Sequence, residues 1–244
     1  MPHPGHRWTP PPFWRGAVVC VLGGGPSLPE CWNKLKWEEG KAFLIGVNNA
    51  LYHVPHIHLH LFNDACWWKG RNTDGEPHAH GVHRAAERGV ITACCNDEMD
   101  NALYPCVRVT PRSYGLSMLR RYVGWYGNTG TSAVELAIKL GARKVVLVGF
   151  DLRMVDGQPN FFHNQITPAD AERLHVFSNQ MGSLVLGAQK LFPWCEVVNA
   201  TPGSSFQIAP FIPPEDVLGY PLAQYQEWDK TWGEVFDQWV LKYN

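Results

Sequence analysis

The sequence predicts an α/β fold, a mostly parallel sheet with helices on both faces, and three observations predict it. Short apolar segments recur along the chain, each bounded by Gly, Asn, Asp or Pro, as strands buried on both faces should be. Helix-patterned segments separate several of them, and such alternation marks parallel strand–helix–strand units. The first apolar run ends in "VLGGGPSL", a glycine-rich turn that leads directly into a helix pattern.

Taken in order, strands are expected at 17–22, 42–47, 57–62, 90–94, 106–110, 144–148 and 196–199. The best-defined helix follows "NTGTSA", with Ser132 as its N-cap and Glu135, three residues on, completing a capping box. Ala133, Val134, Ala137 and Leu140 give it an apolar face, and Gly141 supplies its stop. Thr167, Pro168 and Asp170 open a second long helix, with Leu174, Phe177, Met181, Leu184, Val185 and Ala188 as its buried stripe. Trp228, Trp232, Val235, Phe236 and Trp239 repeat the pattern in the tail. That tail reads as a helix docked over the core, with a homodimer contact as the other reading. Residues 1–206 then form one domain and 207–244 a C-terminal extension.

A chain of 244 residues with 45% hydrophobic content suits one sizeable domain. With 21 basic against 22 acidic residues, nothing suggests an electrostatic grip on nucleic acid or anionic lipid. The seven cysteines are odd in number and form no CxxC pair, which favours reduced, buried thiols in a cytoplasmic protein. "MPHPGHRWTPPPFWRG" has prolines where an export signal needs an apolar stretch, and no apolar run reaches membrane-spanning length. Small molecules, rather than nucleic acid or a membrane, are the expected partners.

In parallel sheets ligands bind beyond the carboxyl ends of the strands, so polar residues just after a strand carry the weight. After the first strand come Gly23, Gly24, Gly25, Pro26 and Ser27, either a phosphate cradle at a helix start or a tight turn. The chain has no GxxxxGK[ST] string, and Leu28 stands where a dinucleotide fingerprint has its third glycine. The second strand ends in Asn48 and Asn49 rather than in an acid, which disfavours NAD. Those amides suit a base edge or a ribose, or simply form a turn.

Asn63 and Asp64 end the third strand, with Trp67 and Trp68 close behind as core or as a stacking platform. Asn128, Thr129, Gly130, Thr131 and Ser132 make a second candidate cradle. Asp151 ends "VLVGFD" in the same kind of position as Asp64; the two carboxylates suit a shared Mg²⁺, or each is a cap or turn residue. The Gly-, Pro- and Asn-rich loop 152–166 has a lid's composition and holds His163, the histidine suited to acid–base work. Asn199, Ser204 and Ser205 follow the last strand. His56, His58 and His60 alternate on one strand face, a pattern that favours packing or surface over a metal.

"VLGGGPSL", "VNNA", "FND…WW", "NTGTSAVELAIKLGARKVVLVGFDL" and "VVNATPGSS", in this order, resemble the superfamily around the 6-hydroxymethylpterin diphosphokinase-like proteins. That grouping also includes flagellin-modifying glycosyltransferases and bacterial CMP-sialic-acid sialyltransferases, and compact members of this layout occur in phage and prophage genomes. The resemblance spans roughly residues 16–206 and implies a Rossmann-like, doubly wound domain that binds a nucleotide across its strand ends. On the sialyltransferase side it implies that Gly24–Ser27, Asn48 or Asn49, and Thr131–Ser132 line the nucleotide site, with His163 as the base. On the diphosphokinase side it implies ATP with Mg²⁺ on Asp64 and Asp151, and a flat acceptor stacked on Trp67 or Trp68.

The expected function is therefore a nucleotide-dependent transferase, glycosyltransferase-like, moving a sugar from a nucleotide to a hydroxyl. Two alternatives stand beside it: a Mg²⁺-dependent pyrophosphokinase acting on a hydroxymethyl group such as that of a pterin, and a non-catalytic nucleotide-binding phage accessory protein.

Overall fold

A computed structural model describes residues 14–64, 85, 87–95, 107–108, 112–113, 116, 123–124, 126–160, 168–218 and 238. Seven strands form one sheet: β1 (Val18–Leu22), β2 (Phe43–Val47), β3 (Leu59–Phe62), β4 (Ile91–Cys94), β5 (Val107–Arg108), β8 (Lys144–Val148) and β9 (Glu196–Asn199). All seven predicted strands are present, some trimmed by one or two residues at their ends. The sheet order is β5-β4-β3-β2-β1-β8-β9 and every pairing in it is parallel. A separate pair, β6 (Arg112–Ser113) with β7 (Val123–Gly124), was not predicted; at two residues each, neither carries a readable period.

The chain winds outward from β1 to β5, then returns to the other side of β1 with β8 and β9. The strand order therefore reverses between β1 and β8, which is where a doubly wound sheet leaves a crevice. Side chains alternate across the sheet. Val19, Val21, Ile45, Leu61, Val145 and Leu147 face a core built with α3 (Thr129–Lys139) and α4 (Pro168–Leu191). Cys20, Leu22, Leu44, Val146 and Val148 face the other way, onto α1 (Leu28–Leu35), α2 (Ala50–His53) and a 3₁₀ turn at Pro214–Asp216.

Two expectations about helices are corrected. The N-cap of α3 is Asn128, not Ser132: its extended backbone lets Oδ1 accept from the Thr131 amide at 2.7 Å. Asn caps as well as Ser, and it stands where the chain turns in. Ser132 lies inside the helix, fully buried, and its hydroxyl donates to the Gly124 carbonyl at 2.8 Å. Glu135 makes no capping box; its carboxylate accepts from the Gly124 amide and the Tyr126 hydroxyl and pairs with Lys139. In α4 the predicted stripe divides, with Met181, Leu184, Val185 and Ala188 buried while Leu174 and Phe177 are only half-buried.

The described start of the C-terminal extension is held to the sheet by a bridge between Asn199 and Phe211, and it buries Val217. The tail helix expected around Trp228–Trp239 falls outside the described residues, apart from position 238. Cys20, Cys31, Cys94, Cys95 and Cys195 are buried, and burial pushes the Cys20 thiol up to about 12. No helix among the described residues is long and apolar enough to cross a membrane.

Candidate functional site

A cleft of about 750 Å³ opens at the carboxyl edge of the sheet, over the reversal between β1 and β8. Its floor is Gly23–Gly25 after β1 and Gly149–Asp151 after β8. Val47, Asn48 and Asp64, from the ends of β2 and β3, form one wall, and Gly127–Gly130 at the start of α3 another. The remaining side is mostly apolar, with one cation and one amide: Arg173, Leu174, Phe177 and Met181 of α4, with Leu152, Pro159 and Asn160 from the loop after β8.

The fold thus brings Gly23, Gly24, Gly25, Asn48 and Asp64 together with Asn128, Thr129, Gly130 and Asp151. Pro26, Ser27, Asn49, Thr131 and Ser132 stand behind these residues and do not line the cleft. His163, Trp67 and Trp68 lie outside the described residues, as does the second half of the 152–166 loop from 161.

The glycine turn is held from inside. The Gly23 amide donates to the Val148 carbonyl and the Gly25 amide to the Gly149 carbonyl, both at 2.8 Å. The Ser27 amide and hydroxyl both donate to Oδ2 of Asp151, at 3.2 and 2.8 Å. The N-terminus of α1, where the sequence suggested a phosphate, already faces an anion supplied by the chain. The glycines have an internal reason as well. A Cβ on Gly23 would meet the Gly149 oxygen at 2.7 Å, and one on Gly25 would meet Asp151 Oδ2 at 2.1 Å. Burial pushes the Asp151 carboxyl above the usual range, opposed by the Ser27 hydrogen bonds and the Arg153 charge. Its Oδ1 is buried without a hydrogen-bond partner among the described residues.

The start of α3 is tied to α4. Asn128 Oδ1 caps Thr131, while Nδ2 donates to Gln180 Oε1 at 2.7 Å. Behind it, Glu135 and Lys139 form a fully buried ion pair. Burial and the Glu135 carboxylate push the Tyr126 phenol up, which keeps it a donor to that carboxylate at neutral pH. Burial pulls the Lys139 ammonium down, and Glu135 opposes that.

At the end of β2, Asn48 has a φ of +50°, a left-handed conformation that Asn tolerates better than most residues. Its Oδ1 is buried with no partner among the described residues. Asn49 is buried and takes the N-cap position of α2 without a side-chain cap bond.

Asn199 and Ser204, grouped by sequence with the binding residues, spend their polar atoms on the chain itself. Asn199 donates to the Phe206 carbonyl and accepts from the Thr201 amide, and Ser204 donates to the Phe150 carbonyl at 2.6 Å. They fix the turn behind Phe150, which does reach the cleft. Arg173 was missed, because one cation in a mixed helix reads as solvent-facing. Its cue is its place beside Leu174 and four residues before Phe177, which share its wall.

Among the described residues, no group of three or more His, Cys, Asp or Glu is placed to hold a metal ion. Of the alternating histidines only His60 lies in β3 and is buried; the half-buried His58 accepts from the Leu44 amide at Nδ1, and the exposed His56 stacks on Trp37 with centroids 5.4 Å apart.

No family model matches the chain, and no curated protein is similar to it by sequence. Among solved structures, the sialyltransferase CstII from Campylobacter jejuni with cytidine-5′-monophosphate matches at TM-score 0.50 and 11% identity, over 82% of this chain and 87% of that one. The fold is similar to that of a bacterial sialyltransferase. CstII with CMP-3FNeuAc matches at TM-score 0.51 and 11% identity, with the same coverage. The MAf glycosyltransferase from Magnetospirillum magneticum AMB-1 matches at TM-score 0.51 and 14% identity, over 87% of this chain but only 37% of that longer one. These likenesses carry the sialyltransferase and glycosyltransferase side of the resemblance, and at such identities they speak for the sialyltransferase-like fold alone.

Proposed function

We propose that the protein is a glycosyltransferase that takes a sugar from a CMP-type nucleotide and passes it to a hydroxyl acceptor. The observation that carries this reading is the cleft itself, a space of about 750 Å³ at the strand reversal with amide, acidic and apolar walls and one arginine. The similar CstII structures hold CMP or a CMP-sugar analogue, which supports the same ligand class here.

Charge decides the orientation of the donor. A phosphate set beside Asp151 or Asp64 would meet a like charge, at a cost of about 4 kcal/mol for 4 Å separation in a half-buried site. The favourable end is the start of α3 with Arg173, which lies seven residues, about 10 Å along α4, before Gln180, the partner of Asn128. The nucleoside then lies toward the glycine floor and Asn48, whose amide reads polar edges without adding charge. In the transfer, the acceptor oxygen attacks the anomeric carbon and the bond to the phosphate breaks with its electron pair on the phosphate. Arg173 and the α3 amides stabilise that leaving group. We assign the acceptor proton to His163, three residues beyond the cleft-lining Asn160 and so within about 10 Å of it along the chain.

One observation favours a second reading. Asp64 and Asp151 share the cleft, and the partnerless Asp151 Oδ1 with a second carboxylate suits Mg²⁺ held between protein and phosphate oxygens. Mg²⁺-dependent pyrophosphoryl transfer to a hydroxymethyl group, such as that of a pterin, is the chemistry it would serve.

Thermal unfolding with CMP, UDP, GDP and ATP, each with and without Mg²⁺, separates the readings. A ligand at a hundredfold excess over its Kd adds about 2.7 kcal/mol, a rise of about 5–10 °C for a chain of this size. Stabilisation by CMP without metal is expected. A rise with ATP only when Mg²⁺ is present would overturn the glycosyltransferase reading in favour of the second. A bound nucleotide that stays intact with every acceptor offered would leave a binding module, such as a phage accessory protein.

A further inference from the structure

We propose that His60 is a positioning residue that holds the cleft-lining Asn48 in place. The inference rests on the nucleotide reading of the cleft. Asn48 follows β2 with φ +50°, a left-handed conformation that Asn tolerates better than most L-residues but that is still less populated than the extended or right-handed helical regions. Its amide donates to the Leu61 carbonyl at 3.0 Å. Its carbonyl accepts from His60 Nε2 at 3.0 Å and, at the longer distance of 3.4 Å, from the Leu51 amide.

His60 is an odd residue for its position. It is fully buried in the middle of β3, on a strand whose other members are Leu59, Leu61 and Phe62. A buried imidazole costs more than an aliphatic side chain unless its hydrogen bonds are made. The Asn48 carbonyl can only accept, so the ring carries its proton on Nε2. Burial holds the ring neutral, with its pKa down to about 4, so the Nε2–H does not depend on ambient acidity near neutral pH. The register places His60 opposite Gly46, two residues before Asn48, and the ring lies against Phe62 with centroids 5.6 Å apart.

The consequence falls on the side chain. With the Asn48 amide and carbonyl both engaged by neighbouring backbone and by His60, Oδ1 is left buried, partnerless among the described residues and on a cleft-lining residue. Release of the carbonyl frees the backbone to leave the left-handed region, and Asn48 then shifts from its place in the cleft wall.

The test uses His60→Leu, which removes the donor, and His60→Gln, whose amide nitrogen reaches the same carbonyl. Two readouts are taken on the full chain: Kd for CMP by calorimetry, and hydrogen exchange over residues 46–50 without ligand. His60→Leu is expected to weaken CMP binding about tenfold and to speed exchange at 46–50, while His60→Gln stays within about threefold of wild type. On an Asn48→Gly background, His60→Leu should change Kd by less than about twofold, because the residue it acts through is gone. A folded His60→Leu with wild-type Kd and wild-type exchange overturns the proposal, as does a full additional loss on the Asn48→Gly background. If the wild type binds no CMP, the nucleotide reading fails and the exchange readout alone decides the role of His60. If His60→Leu does not fold, His60→Asn, too short to reach the carbonyl, replaces it with the same expectations.

Discussion

Gly25→Ala distinguishes a glycine required by a ligand from one required by the fold. A Cβ at this position lies 2.1 Å from Asp151 Oδ2 and 2.5 Å from the Gly149 carbonyl oxygen. Ordinary contact begins near 3.5 Å, so the carboxylate must give by more than about 1 Å and the carbonyl by about 1 Å. The carbonyl belongs to the backbone after β8 and also accepts the Gly25 amide, so it has little freedom to yield. Overpacking of this kind costs about 1–3 kcal/mol, and displacing Asp151 from the Ser27 amide and hydroxyl adds about 1.5–3 kcal/mol. A loss of about 3–5 kcal/mol corresponds to a fall in Tm of about 10 °C in a chain of this length. Thermal unfolding of the ligand-free variant, with urea unfolding to check the slope, measures it. A ligand-free Tm within about 2 °C of wild type, with nucleotide binding lost, would refute the packing argument and return the glycine to the ligand.

Two further variants probe the charges around the cleft. Burial raises the Asp151 carboxyl above its ordinary value of 3.8, so this group favours the folded state most when protonated and costs stability as pH rises through its folded pKa. Asp151→Asn keeps an acceptor for Ser27 and should flatten that loss, leaving the ligand-free variant more stable than wild type at neutral pH; urea midpoints from pH 4 to 8 that fall in parallel for both proteins would count against it. Lys139→Met leaves the fully buried Glu135 carboxylate without its ammonium and should cost about 3–5 kcal/mol by urea unfolding, part of it recovered when Glu135→Gln is added. Equal stability of Lys139→Met and wild type would show the pair to be dispensable.

The sheet was legible because parallel strands buried on both faces are short apolar runs that nothing else in the chain imitates. The two-residue β6 and β7 fall below any periodic signal. The strand-end rule found much of the cleft, from Gly23 and Asn48 to Asp151, since chain position alone delivers those residues to the carboxyl edge. It misplaced Asn199 and Ser204, because the rule says where a residue stands and not whether its polar atoms are spent on a turn. Leu174 and Phe177 show the matching limit for helices. Their spacing is continuous with Met181 and Leu184, and only the end of the sheet determines that Leu174 and Phe177 meet a cleft, Leu184 a core, and Met181 both. The local pattern points to Ser132 as the cap, through its hydroxyl and Glu135; the Gly124 carbonyl, distant in that pattern, takes the hydroxyl, and Asn128 caps the helix.

Every strand of the large sheet points the same way, so each hands its following segment to one rim. Five strands stand on the β1 side of the reversal and two on the β8 side. The segments leaving β1 and β8 are locked to each other by the Gly25–Gly149 and Ser27–Asp151 bonds, and changes there disturb the sheet as well as the pocket. Just after β3 and β4, the Cys95 amide donates to Asn63 Oδ1 at 2.9 Å and ties those two strand ends together. Among the described residues the rim is therefore pinned at its turning point, and a change made there reaches the two strands behind it before it reaches anything in the cleft.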